Sequence, residues 1–454
     1  MNMRRAAEEI INNIKTKYID EKGMVSKNYP PGGETIYADL DDILPFMLYF
    51  GETDFIRNQI KLSRLVTFGG MPIYNDKIIS WRTDEYLGAL CSYYKQNREA
   101  RVKDLIDETF ANIIVYLTKK GHIQMCYDTS RKHTPDLYSA WSGGLIEVFL
   151  ENSNLFPSWK GWGLRTMDLW LDNYSFKRYG IFNFKTHTSS NTFNYINCNL
   201  NILPDTINQI ANAQFYYLNK NGLKNKLLEK TAYTLLQLPT GALFQFMKAN
   251  SNFVFALITA YRETGYNKYK DAINRWIDSV LTKMYSNGMI YGYWSPNGVA
   301  KKPTLTESFV MIDILCDTYN FVEQNSNYLN TASKIADTWL ALAWDNGLIP
   351  DAPDRVKNHL DNQTDFSISL RRLSELTGNK KYSEAGRQIF ESVLLHHKTE
   401  NGYVTSIQMN GSHTPNSNVS PKYNGLLLKG IICWMNEYTQ IYCDPHFYDL
   451  MKDR

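Results

Sequence analysis

The chain has 454 residues, 43% of them hydrophobic and 21% charged, a balance that allows a large globular core. A formal charge of +3 is too small to imply a nucleic-acid partner, and no apolar run is long enough to span a membrane. Cysteines at 91, 126, 198, 316, 433 and 443 show no CxxC or metal-type spacing, so they read as reduced core residues of a cytoplasmic protein. The opening MNMRRAAEEIINNIK lacks the continuous apolar region of a signal peptide.

Self-similarity organises the chain. A glycine followed by a short apolar or aromatic segment recurs at Gly23, Gly70, Gly121, Gly180, Gly241, Gly288, Gly347 and Gly402, at intervals of 47 to 61 residues. Half a period away lies a second junction, seen as Tyr49-Phe-Gly-Glu-Thr-Asp, Tyr261-Arg-Glu-Thr-Gly-Tyr and Leu373-Ser-Glu-Leu-Thr-Gly-Asn. At each of these one helix closes and another opens. Every period therefore holds two helices. The one before the glycine is amphipathic, as Ala272, Trp276, Val280 and Met284 show by falling four apart. The one after the loop is apolar nearly all round, as in FVFALITA (253–260) and GLLLKGIICW (425–434).

Amphipathic helices sit outside and all-round apolar helices are buried. The pattern predicts outer helices near 3–18, 53–66, 99–119, 157–174, 224–238, 267–287, 326–345 and 379–397. Inner helices are predicted near 38–50, 83–95, 137–151, 190–218, 250–265, 304–322, 361–377 and 421–440. An open solenoid and a closed ring both satisfy this alternation. The loops before the inner helices are long and rich in Tyr, Trp, Asn and Asp, and they would emerge at one end, which favours the ring as the scaffold of a site. The expected fold is all-α: one domain over 1–454, a toroid of about 6–8 helical hairpins with inner and outer layers.

The E-T-G-x-x-K-Y junction at Glu263–Tyr269, with the Asn287-Gly288-Met289 turn, resembles the six-hairpin glycosidase-like superfamily, the (α/α) toroids. That resemblance implies a carbohydrate-active enzyme and a carbohydrate ligand. It carries no catalytic motif, so candidate residues come from the ends of the inner helices.

Glycoside hydrolysis needs two carboxyl groups flanking the bond. Asp39, Asp41 and Asp42 crowd the start of one inner helix, where neighbours raise one another's pKa, although Asp39 also reads as a helix cap. In Trp81-Arg82-Thr83-Asp84-Glu85, Thr83 reads as the cap, Asp84 or Glu85 as the catalytic carboxyl, Trp81 as a stacking surface and Arg82 as a clamp for a substrate carboxylate. Glu307 reads as a partner across the ring, or as half of a Thr304-x-x-Glu307 capping box. Asp361 is a further candidate beside Arg355. Tyr37, Tyr138, Trp141 and Trp294 are candidate sugar contacts at the helix ends.

His187, Asn191 and Tyr195, with His413, point to different chemistry, proton abstraction next to a uronate carboxylate by a lyase or epimerase. A non-catalytic helical binding protein is the third reading. The D-x-D-D form of residues 39–42, which class II terpene cyclases also carry, is too short to carry an argument. No G-x-G-x-x-G, P-loop, G-x-S-x-G or H-E-x-x-H is present, so no cofactor and no metal is expected.

Overall fold

A computed structural model describes residues 2–31, 35–132, 138–139, 142–182, 185–186, 244–294, 303–414 and 418–435. Among them are fifteen α-helices in two layers. The chain begins with α1 (Met3–Thr16), α2 (Leu44–Tyr49), α3 (Thr53–Ser63) and α4 (Ser80–Asn97). It continues through α5 (Ala100–Asn112), α6 (Gly143–Glu151), α7 (Pro157–Leu171) and the short α8 (Tyr174–Tyr179). After residues 187–243 come α9 (Asn252–Thr264), α10 (Asn267–Lys283), α11 (Leu305–Asp317) and α12 (Ser326–Leu340). The last three are α13 (Leu360–Thr377), α14 (Lys380–His396) and α15 (Pro421–Met435).

The inner helices pack in order: α2 on α4, then α6, α9, α11, α13 and α15, and α15 returns to α2. The ring therefore closes on seven inner helices among the described residues. Each outer helix packs on the inner helix before it, while α1, which follows none, packs on α15. The helix pair expected at 190–218 and 224–238 lies outside the described residues, and α6 meets α9 directly.

Burial follows the predicted stripes. In α10 the buried positions are Tyr269, Ala272, Ile273, Trp276, Ile277 and Val280, one face of a 3.6-residue period. In α9 every residue from Phe253 to Ala260 except Phe255 is buried. The core between the layers is one cluster running from Met3 to Trp434. No described helix is long and apolar enough to cross a membrane.

Seven of the eight repeat glycines fall on described residues, and all seven have positive φ, from 70° to 127°. Each follows an outer helix and reverses the chain. Asn287 and Gly288 form the turn between two-residue strands Tyr285–Ser286 and Met289–Ile290, both with φ above zero as a tight hairpin requires. Several starts differ from expectation. A four-stranded sheet built from Thr67–Phe68, Met71–Tyr74, Lys77–Ile79 and Cys126–Asp128 stands at the ring's end. Its edge pairing ends at Ile79, so α4 opens three residues before the predicted start. The first inner helix is shorter, because a 3₁₀ segment Ile36–Asp42 precedes it and Pro45 fixes its first turn. Helix α5 gives way to a π turn at Ile113–Leu117, so it ends before the predicted limit.

Two glycine substitutions separate backbone strain from collision. At Gly265, φ is +66° and no atom lies within 4 Å of an added Cβ. Gly265→Ala should cost about 1–2 kcal/mol, from conformation alone. At Gly288 an added Cβ would also strike the Thr338 hydroxyl, so Gly288→Ala should cost more. Urea unfolding midpoints measure the difference, and equal losses would contradict it.

Candidate active site

The N-terminal ends of the inner helices open on one cavity of about 390 Å³. Every inner helix, or the turn leading into it, contributes to its lining. Asp41, Asp42 and Phe46 come from the first hairpin, Trp81, Asp84 and Glu85 from α4, and Glu147 from α6. Phe255 of α9 and Phe309 of α11 supply apolar faces. Asp361 and Asp365 come from α13, and Lys422, Tyr423 and Lys429 from α15.

The start of α4 is set by its neighbours. Ser80 N donates to Met125 O at 3.0 Å, and the Thr83 hydroxyl donates to Ile79 O at 2.9 Å. Thr83 is therefore inside the first turn and is not the cap, because the strand feeding α4 ends earlier than its sequence signals. Asp84 Oδ1 accepts from Glu85 N at 2.7 Å. Its other oxygen lies so close to Gly144 of α6 that a side chain at 144 would displace it.

Lys422 holds the acid side of the cavity together. Its Nζ lies 2.7 Å from Asp39 Oδ1 and 2.8 Å from Asp42 Oδ2. Burial pushes Asp39 up, but Lys422, helped by Lys27 and Arg82, outweighs it and holds Asp39 below its ordinary value. At Asp42 burial wins against Lys422, with Asp39 adding to it, and its pKa is raised. Glu85 is raised well above its ordinary value, first by burial and then by Asp41, Asp39 and Asp42, against the pull of Lys422. Glu85 Oε2 is sequestered from solvent and has no hydrogen-bond partner among the described residues. Across the ring, burial and then Asp365 push Asp361 up to about 6 against His359. Asp365 itself pairs with Lys429 at 3.2 Å. Burial, with Asp361 next, pushes the Tyr423 phenol up to about 12.

The cavity thus gathers Asp42, Trp81, Asp84, Glu85 and Asp361 from the sequence candidates, with Asp39 one ion pair behind. Others stand elsewhere. Tyr37 is buried, its hydroxyl donating to Gln59 Oε1 at 3.0 Å. The Arg82 guanidinium lies 4.2 Å from the Tyr74 ring centre. Glu307 faces Gly292 and is absent from the described lining. The Thr304 side chain makes no cap hydrogen bond, so the expected capping box does not form. The Trp294 ring packs 5.6 Å from Tyr179. Arg355 and His413 are exposed on their loops. Trp141, His187, Asn191 and Tyr195 lie outside the described residues, as does the side chain of Tyr138.

Lys422 and Lys429 escaped the sequence reading. For Lys422 a signal was present, since a lysine in the first turn of a helix opposes the helix dipole unless carboxylates meet it there. No group of three or more Asp, Glu, His or Cys arranged to hold a metal ion occurs among the described residues.

Removing Lys422 should leave buried carboxylates uncompensated. In Lys422→Met the folded pKa of Asp39 would rise above the unfolded value of about 4, and that of Asp42, already raised, would rise further. Stability is then retained at low pH and lost as pH rises through the folded values. The expected loss is about 3 kcal/mol near pH 8 and distinctly less near pH 5. Urea unfolding at both pH values checks this, and a loss that grows toward acid would contradict it.

No protein-family model and no curated protein sequence matches the chain. Solved structures do. An α-1,2-mannosidase from Trichoderma reesei aligns over 96% of this chain and 93% of its own, with TM-score 0.65 and 13% identity. A D-mannose isomerase aligns over 95% and 96%, with TM-score 0.59 and 11% identity. A cellobiose 2-epimerase from Bacillus thermoamylovorans B4167 aligns over 95% and 100%, with TM-score 0.56 and 11% identity. The fold of this chain is therefore the one it shares with these structures, an (α/α) toroid, closed here by seven inner helices among the described residues.

Proposed function

We propose that the protein is a glycoside hydrolase, with Glu85 as general acid and Asp361 as the second catalytic carboxyl. The observation that carries this reading is that both groups line one cavity from nearly opposite sides of the ring, α4 and α13 being three helices apart in a circle of seven. Glu85 is kept protonated by burial and by its acidic neighbours, which suits donation of a proton to the leaving glycosidic oxygen. Asp361 is ionised above about pH 6 and would act on the opposite face of the sugar, on water or on the anomeric carbon. Trp81 and Tyr423 offer ring faces for a sugar to stack on. Residues 1–454 are taken as one domain. A cytoplasmic location belongs to the same proposal, and the free thiols of Cys91, Cys126, Cys316 and Cys433 accord with it.

Epimerisation or isomerisation of a sugar is the second reading, favoured by the likeness to a cellobiose 2-epimerase and a D-mannose isomerase. The candidates around His187, read from the sequence for a uronate lyase or epimerase, lie outside the described residues. Product analysis on a panel of neutral and uronate oligosaccharides separates the chemistries. New reducing ends mean hydrolysis, ultraviolet absorbance of an unsaturated uronate means elimination, and a C2 epimer or keto sugar means the second reading.

On a hydrolysed substrate, Glu85→Gln and Asp361→Asn should each lower kcat by about 10²–10⁴-fold, with KM within a few-fold. Unchanged turnover in both would remove the assignment. The kcat/KM of the parent enzyme should rise as pH passes through about 6, where Asp361 loses its proton. It should fall at higher pH, where Glu85 loses its own. Asp361→Asn should lose the acidic limb of that profile.

A further inference from the structure

We propose that Asp351, behind the cavity wall, is a positioning residue: it fixes the first turn of α13 so that Asp361 presents its carboxyl group to the bound sugar. This deepens the reading of Asp361 as a working carboxyl group and rests on it. Asp351 stands in the loop between α12 and α13, 3% exposed and not among the described lining residues. Its backbone is tied on both sides, N donating to Lys357 O at 3.1 Å and O accepting from Leu305 N at 2.9 Å. The first bond fixes the loop to the strand Lys357–His359 that leads into α13, and the second to the first residue of α11. The side chain then reaches the start of α13. Oδ1 accepts from His359 N and from Asn362 Nδ2, each at 3.0 Å, and Oδ2 pairs with His359 Nδ1.

Asp361 is thus bracketed, since the residue two before it and the residue after it are both bonded to one buried carboxylate. Asn362 is held at both ends of its amide, because Thr306 Oγ1 of α11 donates to its Oδ1 at 2.8 Å. Asn362 and Thr306 both line the cavity. The Asn362 backbone N–H in turn donates to the Asp361 carboxyl group, so the orientation of that group follows the turn that Asp351 holds. Helix capping alone does not account for this pattern. A cap accepts from N–H groups inside the first turn. Asp351 instead takes the N–H of His359, the residue before the helix, and the side chain of a cavity residue. Leu360 N, the first inside the helix, goes to Thr405 O at 2.9 Å. The carboxylate also sets the His359 tautomer with the proton on Nδ1. Three N–H groups then converge on two carboxylate oxygens, which can only accept.

The test assays the full chain on the sugar whose conversion product analysis identifies. Asp351→Ala should lower kcat about 10²-fold, the effect of displacing a reacting group by about 1 Å, with KM within a few-fold. Asp351→Asn keeps an accepting oxygen and should recover kcat to within about tenfold of the parent. On an Asp361→Asn background, Asp351→Ala should cost less than about threefold, because the group it positions has already gone. A kcat unchanged by Asp351→Ala overturns the proposal. So does an undiminished loss on the Asp361→Asn background, the mark of a merely structural role. If Asp351→Ala does not fold, Asn362→Ala, which cuts one of the ties, goes through the same cycle with the same expectations. A crystal structure of Asp351→Ala, or of Asn362→Ala in its stead, gives a readout independent of turnover. Asp361 should leave its place in the cavity wall, and an unmoved Asp361 overturns the proposal. Hydrolysis that needs Glu85 and Asp361 but not Asp351 sinks the positioning role only. A non-hydrolytic conversion with the same dependence on Asp351 and Asp361 sinks the hydrolase reading only, and turnover indifferent to Asp361 sinks both.

Discussion

The ring is held shut where its last inner helix meets its first. Gly425 of α15 lies against the backbone carbonyl of Asp42, close enough that a side chain there would not fit. That approach brings Lys422 within 2.8 Å of both Asp39 and Asp42, across a sequence separation of 383 residues to Asp39. Smaller ties line the same seam. Tyr18 donates to Asn401 O at 2.7 Å, Ser420 Oγ to Lys27 O at 3.0 Å, and Tyr29 N to Val419 O at 3.0 Å. One contact therefore serves two purposes, since the clamp that closes the toroid also supplies the cation without which the acid side of the cavity would repel itself.

Crowding carboxyl groups into a cavity is costly, and the fold offsets that cost by where it puts them. Every inner helix presents its N-terminal end to the cavity, and a helix N-terminus carries partial positive charge and donor N–H groups. What the dipoles and Lys422 do not compensate appears as raised pKa values at Asp42, Glu85 and Asp361. A carboxyl group kept from ionising in this way is costly where it stands, and shifts of this kind cluster at functional sites in proteins generally.

Much of this was legible in the chain itself. The glycines at 23, 121, 288, 347 and 402 mark reversals after outer helices because a left-handed residue is needed there, and glycine supplies it at least cost. The stripe in α10 and the all-round apolar α9 followed from period alone. What stayed hidden depends on partners far off in sequence. Helix α4 starts at Ser80 because Lys77–Ile79 pairs with Cys126–Asp128, a register that local propensity cannot report. The same holds for facing. Asp84, Glu85 and Glu307 look alike as acidic residues near helix starts, yet only the first two turn to the cavity, while Glu307 turns to Gly292. Lys422 carries meaning only once Asp39 and Asp42 stand beside it.

Aromatic residues make up 14% of the chain, and the structure divides the tryptophans by layer. Trp159, Trp170, Trp276 and Trp339 lie on outer helices and are fully buried against the inner layer, where rings contribute through area removed from water. Trp81 lines the cavity. Polar groups follow the opposite rule and gather between the inner helices. One turn below the cavity Asp313 is pushed up to about 7, chiefly by burial, and accepts from Ser369 at 2.9 Å. Another turn on, buried Arg372 pairs with Asp317. Apolar packing is therefore concentrated between the layers, and ionisable groups gather inside the inner one. Side chains at the end of an inner helix can change without disturbing the outer-to-inner packing, which is a physical reason for one toroid to hold different sugar chemistries at so little shared sequence.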